Sequence, residues 1–599
     1  MDNCHVFYRP LTIKRILLIY PFAVSESYHL ETVIKGGAFV EAPLGIGYIS
    51  SYLQQNFDDV EVRIVDANAL AVKHILSSRV VDMPALWEML KQRIRDFAPD
   101  MVGVSCLFHN IALLAHKTCA AIRETAPRAV VAMGGNYPSG SPEIAMADRN
   151  LDFLLFSEGE KSFAGLIGAL RGGFEPSAMV DGIAYRSDVM TDLTKPLSAA
   201  AVDRTVIHHV AKGAFTKSLE DYPWPDRRDF DMEFYATYAR HFAFRTLKRG
   251  EVRLATMTAS RGCPFRCSFC SSKDFWGRQI RYREPAVVVD EIERLIADHD
   301  INTFVFNDDN IMSDRKKVVA LCNEIKRRNL KIHWLSGGGI QVSAMKPDVI
   351  QALIETGLNQ FNLAIETGNP KTLRRINKPL TVGVAEGVIA EIRRYDHVWI
   401  GSNFITGFYF ETLDDVRETL AYAAGLDLDW RSIYAFQPLP GTDDYKSCVE
   451  LGYVKEWGIW DADHVGDLVA LDTANFSAIE IRNLNYLSNL EHNFLRNRNL
   501  RLNPAQAIRD FDYVIEMAPD HAVAYYARSL AEMNLGEARA AALSLRTARN
   551  IVEKTSGYAE NRFKSNLAMT AVDVRWGDYF AHFGVDLDAE VARLQAVAV

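Results

Sequence analysis

The 599-residue chain reads as an α/β protein: a doubly wound parallel sheet, then a second run of alternating strands and helices, then a helical C-terminal region. Three observations lead there. Short β-branched apolar runs alternate with single helix-length segments through the first third. The alternation resumes at VRLATMTAS, residues 252–260. Beyond about residue 450 it stops, and helical periodicity takes over.

A chain of this length exceeds one hydrophobic core and divides into about three or four domains. With 48% apolar and 24% charged residues it has the composition of a folded soluble protein. A formal charge of −9 and the lack of an arginine–aromatic cluster argue against a nucleic-acid partner. The N-terminal stretch MDNCHVFYRPLTIKRILLIYPF lacks the order of a signal peptide, and no apolar run is long enough to cross a bilayer. The expectation is a cytoplasmic protein with no membrane partner, in which clustered cysteines hold metal rather than form disulfides. Cys4, Cys106, Cys119, Cys322 and Cys448 are scattered and read as small buried hydrophobes.

In order, KRILLIY (14–20) is a strand, 43–56 a helix and VEVRIVDA a strand ending at Asp66. A helix over about 85–97 follows, then the strand DMVGVSC, a helix over about 110–125, and the strands AVVAMGG and LDFLLFSEGE. Strands separated by single helices make a parallel sheet covered on both faces, with ligands at the strands' carboxyl ends. Those ends carry Asp66, Ser105, Gly134, Gly135, Glu158, Gly159 and Glu160. A glycine pair after a strand admits a bulky ligand or simply makes a tight turn. SLEDYPWPDRRDF (218–230) is proline-rich and reads as an extended connector.

RGCPFRCSFC (261–270) sets Cys263, Cys267 and Cys270 together with no fourth thiol or imidazole nearby. Structural zinc needs four ligands, and Cys322 and His333 lie far along the chain. Three thiolates can hold a four-iron cubane and leave one iron open, so the spacing favours an iron–sulfur cluster over zinc or three unrelated thiols.

The CxxxCxxC spacing with Phe269 before the last cysteine resembles the signature of radical S-adenosylmethionine (SAM) enzymes. The resemblance implies a [4Fe-4S] cluster whose open iron binds SAM, an electron donor such as flavodoxin or ferredoxin, and a partial (β/α)6 TIM-type barrel. NTFVFNDDN, KIHWLSGGG, QFNLAIETGN, VWIGSNFITGF and RSIYAFQPLPGT read as its strands. By the resemblance Phe269, Asp309, Gly338 and Glu366 are SAM contacts. Asp308 and Asp309 also suit helix caps, Gly337 to Gly339 suit a turn, and PLPGT (438–442) suits a type II turn. Relatives often carry an arginine soon after the third strand, where this chain has Gln341, so a carboxylate clamp there is in doubt.

Upstream, Pro43-Leu44-Gly45, Asp66, VGVS ending at Ser105, MGG ending at Gly134-Gly135, and SEGE with Glu158-Gly159 resemble the cobalamin-binding domain of the same enzymes. No DxHxxG motif occurs there, and DADHVG (461–466) has the wrong spacing. The resemblance implies cobalamin without a histidine ligand, with a residue between Ser105 and Phe108 beneath the corrin.

The stretch from Asn503 to Ile551 resembles one tetratricopeptide repeat with pieces of its neighbours, too few to bury a core alone, and is expected to pack on the barrel. The expected division is a Rossmann-like cobalamin domain at 1–205, a linker at 206–248, the barrel at 249–450 and a helical domain at 451–599. The implied function is cobalamin-dependent radical SAM methylation of an unactivated carbon in a small-molecule or peptide substrate. A cyclase or oxidase of the anaerobic porphyrin type, and a cobalamin-binding regulator with a structural cluster, are the alternatives.

Overall fold

The computed structural model describes residues 10–24, 30–34, 38, 40–173, 181–186, 207–209, 215–238, 245–247, 249–454, 471–554, 559–560 and 573–597. Its first sheet holds β1 (Arg15–Tyr20), β2 (Glu61–Asp66), β3 (Met101–Ser105), β4 (Val130–Gly134), β5 (Phe153–Leu155), β6 (Ile183–Arg186) and β7 (Ile207–His209). Their order is β2-β1-β3-β4-β5-β6-β7. The first five are parallel, and β6 and β7 run antiparallel. RILLIY is apolar on both faces and buried from Ile16 to Tyr20, as a central strand between two helical layers requires. The winding reverses between β1 and β3, so a crevice opens at their carboxyl ends.

The second unit contains β8 (Leu254–Met257), the short antiparallel pair β9 (Ser260–Arg261) and β10 (Arg281–Tyr282), then β11 (Thr303–Phe306), β12 (His333–Ser336), β13 (Gln360–Glu366), β14 (Trp399–Thr406) and β15 (Trp430–Ala435). The strands β8, β11 and β12 form one parallel sheet and β13, β14 and β15 another. A bridge between Ile340 and Leu363 joins the two into one curved, six-stranded open barrel. The partial barrel expected from the sequence is therefore present, and the β9–β10 pair brackets the cysteine loop.

The segment 218–230 starts with a 3-10 turn at Leu219–Asp221 and then lies along the helix Leu44–Asn56. There Asp226 N donates to Gly47 O at 2.9 Å, and Ser50 Oγ donates to the Asp226 carboxylate at 2.8 Å. The look-alike motif at 461–466 lies outside the described residues.

Three consecutive helices, Pro504–Met517, Ala522–Asn534 and Ala538–Lys554, pack pairwise at the C-terminus, and their core extends onto Trp399 and Trp430 of the barrel. The exposed backbone edge of β15 is closed by a stripe of asparagines four residues apart. Asn489 Nδ2 donates to Ile433 O, Asn493 bonds both the N–H and the C=O of Arg431 at 2.8 and 2.6 Å, and Asn497 Nδ2 donates to Asp429 O. These side chains stand in for a seventh strand, satisfying groups that a bare edge would leave open.

Replacing Asn493 by Ala strands two buried backbone groups and is expected to cost about 1–3 kcal/mol for each. Denaturant unfolding checks this, with Asn489→Ala, which removes a 3.3 Å bond to Ile433 O and a 3.2 Å bond from Asn493, expected to cost less because it strands one backbone group.

Candidate active site

A chamber of about 810 Å³ lies where the carboxyl ends of the first sheet face those of the barrel. Several residues singled out in the sequence line it: Pro43, Leu44, Gly45, Ser105, Gly134, Gly135, Glu158 and Gly159 from the sheet side. Cys270, Asp308, Asp309, Gly337 and Gly338 line it from the barrel side. Asp66, Cys263, Cys267, Phe269 and Glu366 are not among the lining residues; Asp66 caps the helix Ala67–Ser78 through Ala69 N at 2.9 Å and accepts the Tyr235 hydroxyl. Burial pushes its carboxyl up to about 6.

The glycines here serve close approach. Gly135 has φ +123°, and a Cβ on it would lie 2.2 Å from Cys106 O, so only glycine fits this crossing. A Cβ on Gly45 would meet nothing within 4 Å, which leaves the chamber wall open there. Leu107 and Phe108, just after β3, present apolar side chains 41% and 44% exposed on the chamber wall, a surface suited to cover by a flat macrocycle.

The sheet and barrel are tied by a buried ion-pair network that sequence reading did not single out. Glu158 accepts from Arg261 Nη1 at 3.2 Å and pairs with Arg281 Nη1 at 2.8 Å, and Glu160 accepts from Arg261 Nη2 at 2.6 Å. The Arg261 guanidinium stacks within 4.8–5.2 Å of the rings of Tyr48, Tyr222 and Trp276. Burial alone would lower its pKa, but Glu160 and Glu158 outweigh that and hold it above its ordinary value. Arg261 lies two residues before Cys263, a placement the motif does not mark.

Cys263, Cys267 and Cys270 are unpaired, partly exposed thiols on one loop. Among the described residues no group of three or more His, Cys, Asp or Glu side chains is placed to hold a metal ion. Burial pushes the Cys267 thiol up to about 11, opposed by the Lys378 cation. Lys378 also pairs with Glu366 at 2.8 Å. Glu366 sits at φ +70° beside an irregularity in the β13–β14 register, so a strained backbone aims this carboxylate. Asn310 Nδ2 donates to Cys263 Sγ at 3.6 Å and to Gln341 Oε1 at 3.0 Å, which gives Gln341 a place behind the cysteine loop. Phe269 packs edge-on against Phe408, 5.9 Å between centroids, at the back of the loop.

Asp308 accepts Ala259 N at 3.1 Å and the Ser260 hydroxyl at 2.5 Å, so it locks the turn that enters the loop. Burial pushes its carboxyl up to about 7. Glu41, which also lines the chamber, accepts Asn307 Nδ2 at 2.8 Å and is likewise pushed up by burial to about 7. Glu41 carries no motif in the sequence.

Two variants test this geometry. Arg261→Met leaves the Glu160 carboxylate buried and unpaired, and is expected to cost about 3–5 kcal/mol of stability, read by thermal unfolding. Asp308 has a folded pKa above its unfolded value, so its stabilising contribution is full below about pH 4 and is lost as pH rises through about 7. Asp308→Asn should therefore flatten the stability profile between those pH values; a wild-type slope retained in the variant would assign it to other groups.

Residues 257–423 match the Radical SAM superfamily, and residues 33–167 match the B12 binding domain. The cytidylyl-2-hydroxyethylphosphonate methyltransferase of Streptomyces wedmorensis is 27% identical over 499 residues, 78% of this chain and 90% of the relative. The fold also matches the radical SAM methyltransferase TsrM of Kitasatospora setae, solved with cobalamin and a [4Fe-4S] cluster: TM-score 0.55 and 16% identity, covering 91% of this chain and 100% of that one. It matches the cobalamin-dependent SAM radical enzyme OxsB, solved with aqua-cobalamin and SAM, at TM-score 0.59 and 14% identity, covering 96% and 84%. The chain thus joins a B12 binding domain to a radical SAM domain and is homologous to cobalamin-dependent radical SAM methyltransferases.

Proposed function

We propose that this chain is a cobalamin-dependent radical SAM C-methyltransferase acting on a small-molecule or peptide substrate. The observation that carries the reading is one shared chamber: the glycine-rich sheet ends and Cys270 of the cysteine loop line the same space. The S. wedmorensis relative, a methyltransferase by name, favours methyl transfer over the cyclase reading.

The proposed division is a cobalamin domain over 1–205, a linker over 206–248, a barrel over 249–450 and a helical domain over 451–599. Cys263, Cys267 and Cys270 hold the [4Fe-4S] cluster. Asp309, Gly338 and Glu366 contact SAM, with Phe269 packing behind the loop. Pro43, Leu44, Gly45, Ser105, Gly134, Gly135 and Gly159 would hold cobalamin, Leu107 and Phe108 would offer it an apolar surface, and Asp66 braces that edge from outside the chamber. The Glu158 carboxylate is committed to Arg261 and Arg281, so its part is to orient the loop. When bound, the cluster and SAM supply a 5′-deoxyadenosyl radical, and cobalamin supplies a transferable methyl group.

This chain's residues provide position and dryness. Lys378 favours the thiolate form of Cys267 that binds iron. Tyr48, Tyr222 and Trp276 cover Arg261 and keep water from the ion pairs that register the two domains. That registry replaces a chance encounter between two reactive groups with a fixed approach. Electrons come from a donor such as flavodoxin or ferredoxin.

Anaerobic purification with iron, sulfide and cobalamin analysis tests the reading. A cluster and cobalamin are expected in the wild type, and Cys270→Ala should lose the cluster absorbance and 5′-deoxyadenosine formation while keeping cobalamin. A chain that takes up no cobalamin overturns the proposal.

A further inference from the structure

The chamber does not end at the carboxyl ends of the barrel strands. It continues down the bore, where Asn362 of β13, Asn403 of β14 and Ser432 and Tyr434 of β15 line it. The first residues of these strands, Gln360, Trp399 and Trp430, line it too, which carries the space to the barrel's amino-terminal end. From Gln360 to Glu366 a strand covers about 20 Å. In β13 the residues facing the bore are partly exposed while those between them are buried, so the bore is open rather than filled with side chains.

Two features make this bore a receptor. The side-chain amides of Asn362 and Asn403 project into it, and neither makes a hydrogen bond to the described residues. Polar groups held inside a barrel without protein partners are positioned for a ligand. At the floor stands Arg245, 8% exposed and among the chamber-lining residues. Its guanidinium lies 3.9 Å from the ring centroid of Tyr513 and 5.2 Å from that of Trp430, and its backbone N–H donates to Gln360 Oε1 at 2.7 Å. Tyr513 belongs to the C-terminal helix Pro504–Met517, so the helical domain closes the bore from below.

Among the described residues the Arg245 guanidinium donates from Nη1 to the backbone carbonyl of Asp510 at 3.4 Å and meets no carboxylate within hydrogen-bond length. Among those residues its carboxylate partner is Asp510, whose Oδ1 lies 3.8 Å from Nη1. Asp510 also bonds Trp399 Nε1 and Gln506 Nε2, and burial pushes it up to about 7 despite the arginine. The other chamber-lining cation, Arg261, is fully engaged by Glu158 and Glu160.

We infer that the barrel bore is the substrate site and that Arg245 on its floor receives an anionic end of the substrate, a carboxylate or phosphoryl group, with Asn362 and Asn403 bonding its polar middle. The reacting carbon then lies at the opposite end, toward the cysteine loop and the sheet. The substrate class is an elongated polar anion. This inference rests on the proposed radical SAM reading for the direction in which the substrate is used, while the anion site itself does not depend on it.

The test uses the full-length, cluster- and cobalamin-loaded protein with SAM, titrated calorimetrically with glutarate and with neutral glutaramide as probes. The wild type is expected to bind glutarate about tenfold or more tightly than glutaramide. Asn403→Asp keeps Arg245 in place but sets a negative charge in the bore, and should weaken glutarate about tenfold more than it weakens glutaramide. Asp510→Asn removes the competing carboxylate and should tighten glutarate. Equal binding of the two probes by the wild type, or glutarate affinity unmoved in both variants, overturns the inference. Reductive 5′-deoxyadenosine formation, measured in the same preparations, reports separately on the radical SAM reading: its loss with anion binding intact faults that reading and not the bore.

Discussion

The buried network of Glu158, Glu160, Arg261 and Arg281 is the constraint on which the site depends. It joins the end of β5 to the strand that leads into the cysteine loop, so the two halves of the chamber are set by one group of charges. All four side chains are at most 6% exposed, and charges so buried cost several kcal/mol each to desolvate, a cost that their mutual pairing offsets. That makes the docked geometry specific: sliding either domain breaks the pairing, and no solvent is there to compensate. The aromatic faces around Arg261 reinforce this by favouring the cation and excluding water.

From this joint the division of labour follows. The sheet offers glycine-lined strand ends and an apolar shelf at Leu107 and Phe108. The barrel offers three thiols, a cation at Lys378 and the strained carboxylate of Glu366. The helical C-terminal region has two structural tasks, closing the edge of β15 with asparagines and closing the bore with Tyr513. Its packing on the barrel, expected from a repeat too short to stand alone, is thus also a contribution to the chamber wall.

The strands and their order of appearance were readable because apolar runs and glycine-terminated ends report directly on burial and strand direction. The cysteines were readable because metal chemistry demands fixed spacing. Arg261, Glu41, Lys378 and Arg245 were not, because each acquires meaning only from partners far away in the chain: Arg261 meets Glu158 across 103 positions, and Arg245 meets Asp510 across 265. A lone arginine or lysine carries no periodic signal. Asp66 shows the converse: a carboxylate at a strand end looks like a ligand contact, yet here it caps the next helix and holds Tyr235. The asparagine stripe from Asn485 to Asn497 was periodic in the sequence, but polar periodicity reads as a solvated helix face until an unpaired strand edge is found opposite it.

The most direct measurement follows the methyl group. Reconstituted, reduced protein is supplied with SAM carrying an isotope-labelled methyl group, and the cobalamin fraction and nucleosides are analysed after quenching. Joint use of two cofactors in one chamber predicts label leaving SAM for the cobalamin fraction together with release of 5′-deoxyadenosine. Deoxyadenosine released beside cobalamin that stays unlabelled would contradict methyl transfer, and neither product would contradict the account as a whole.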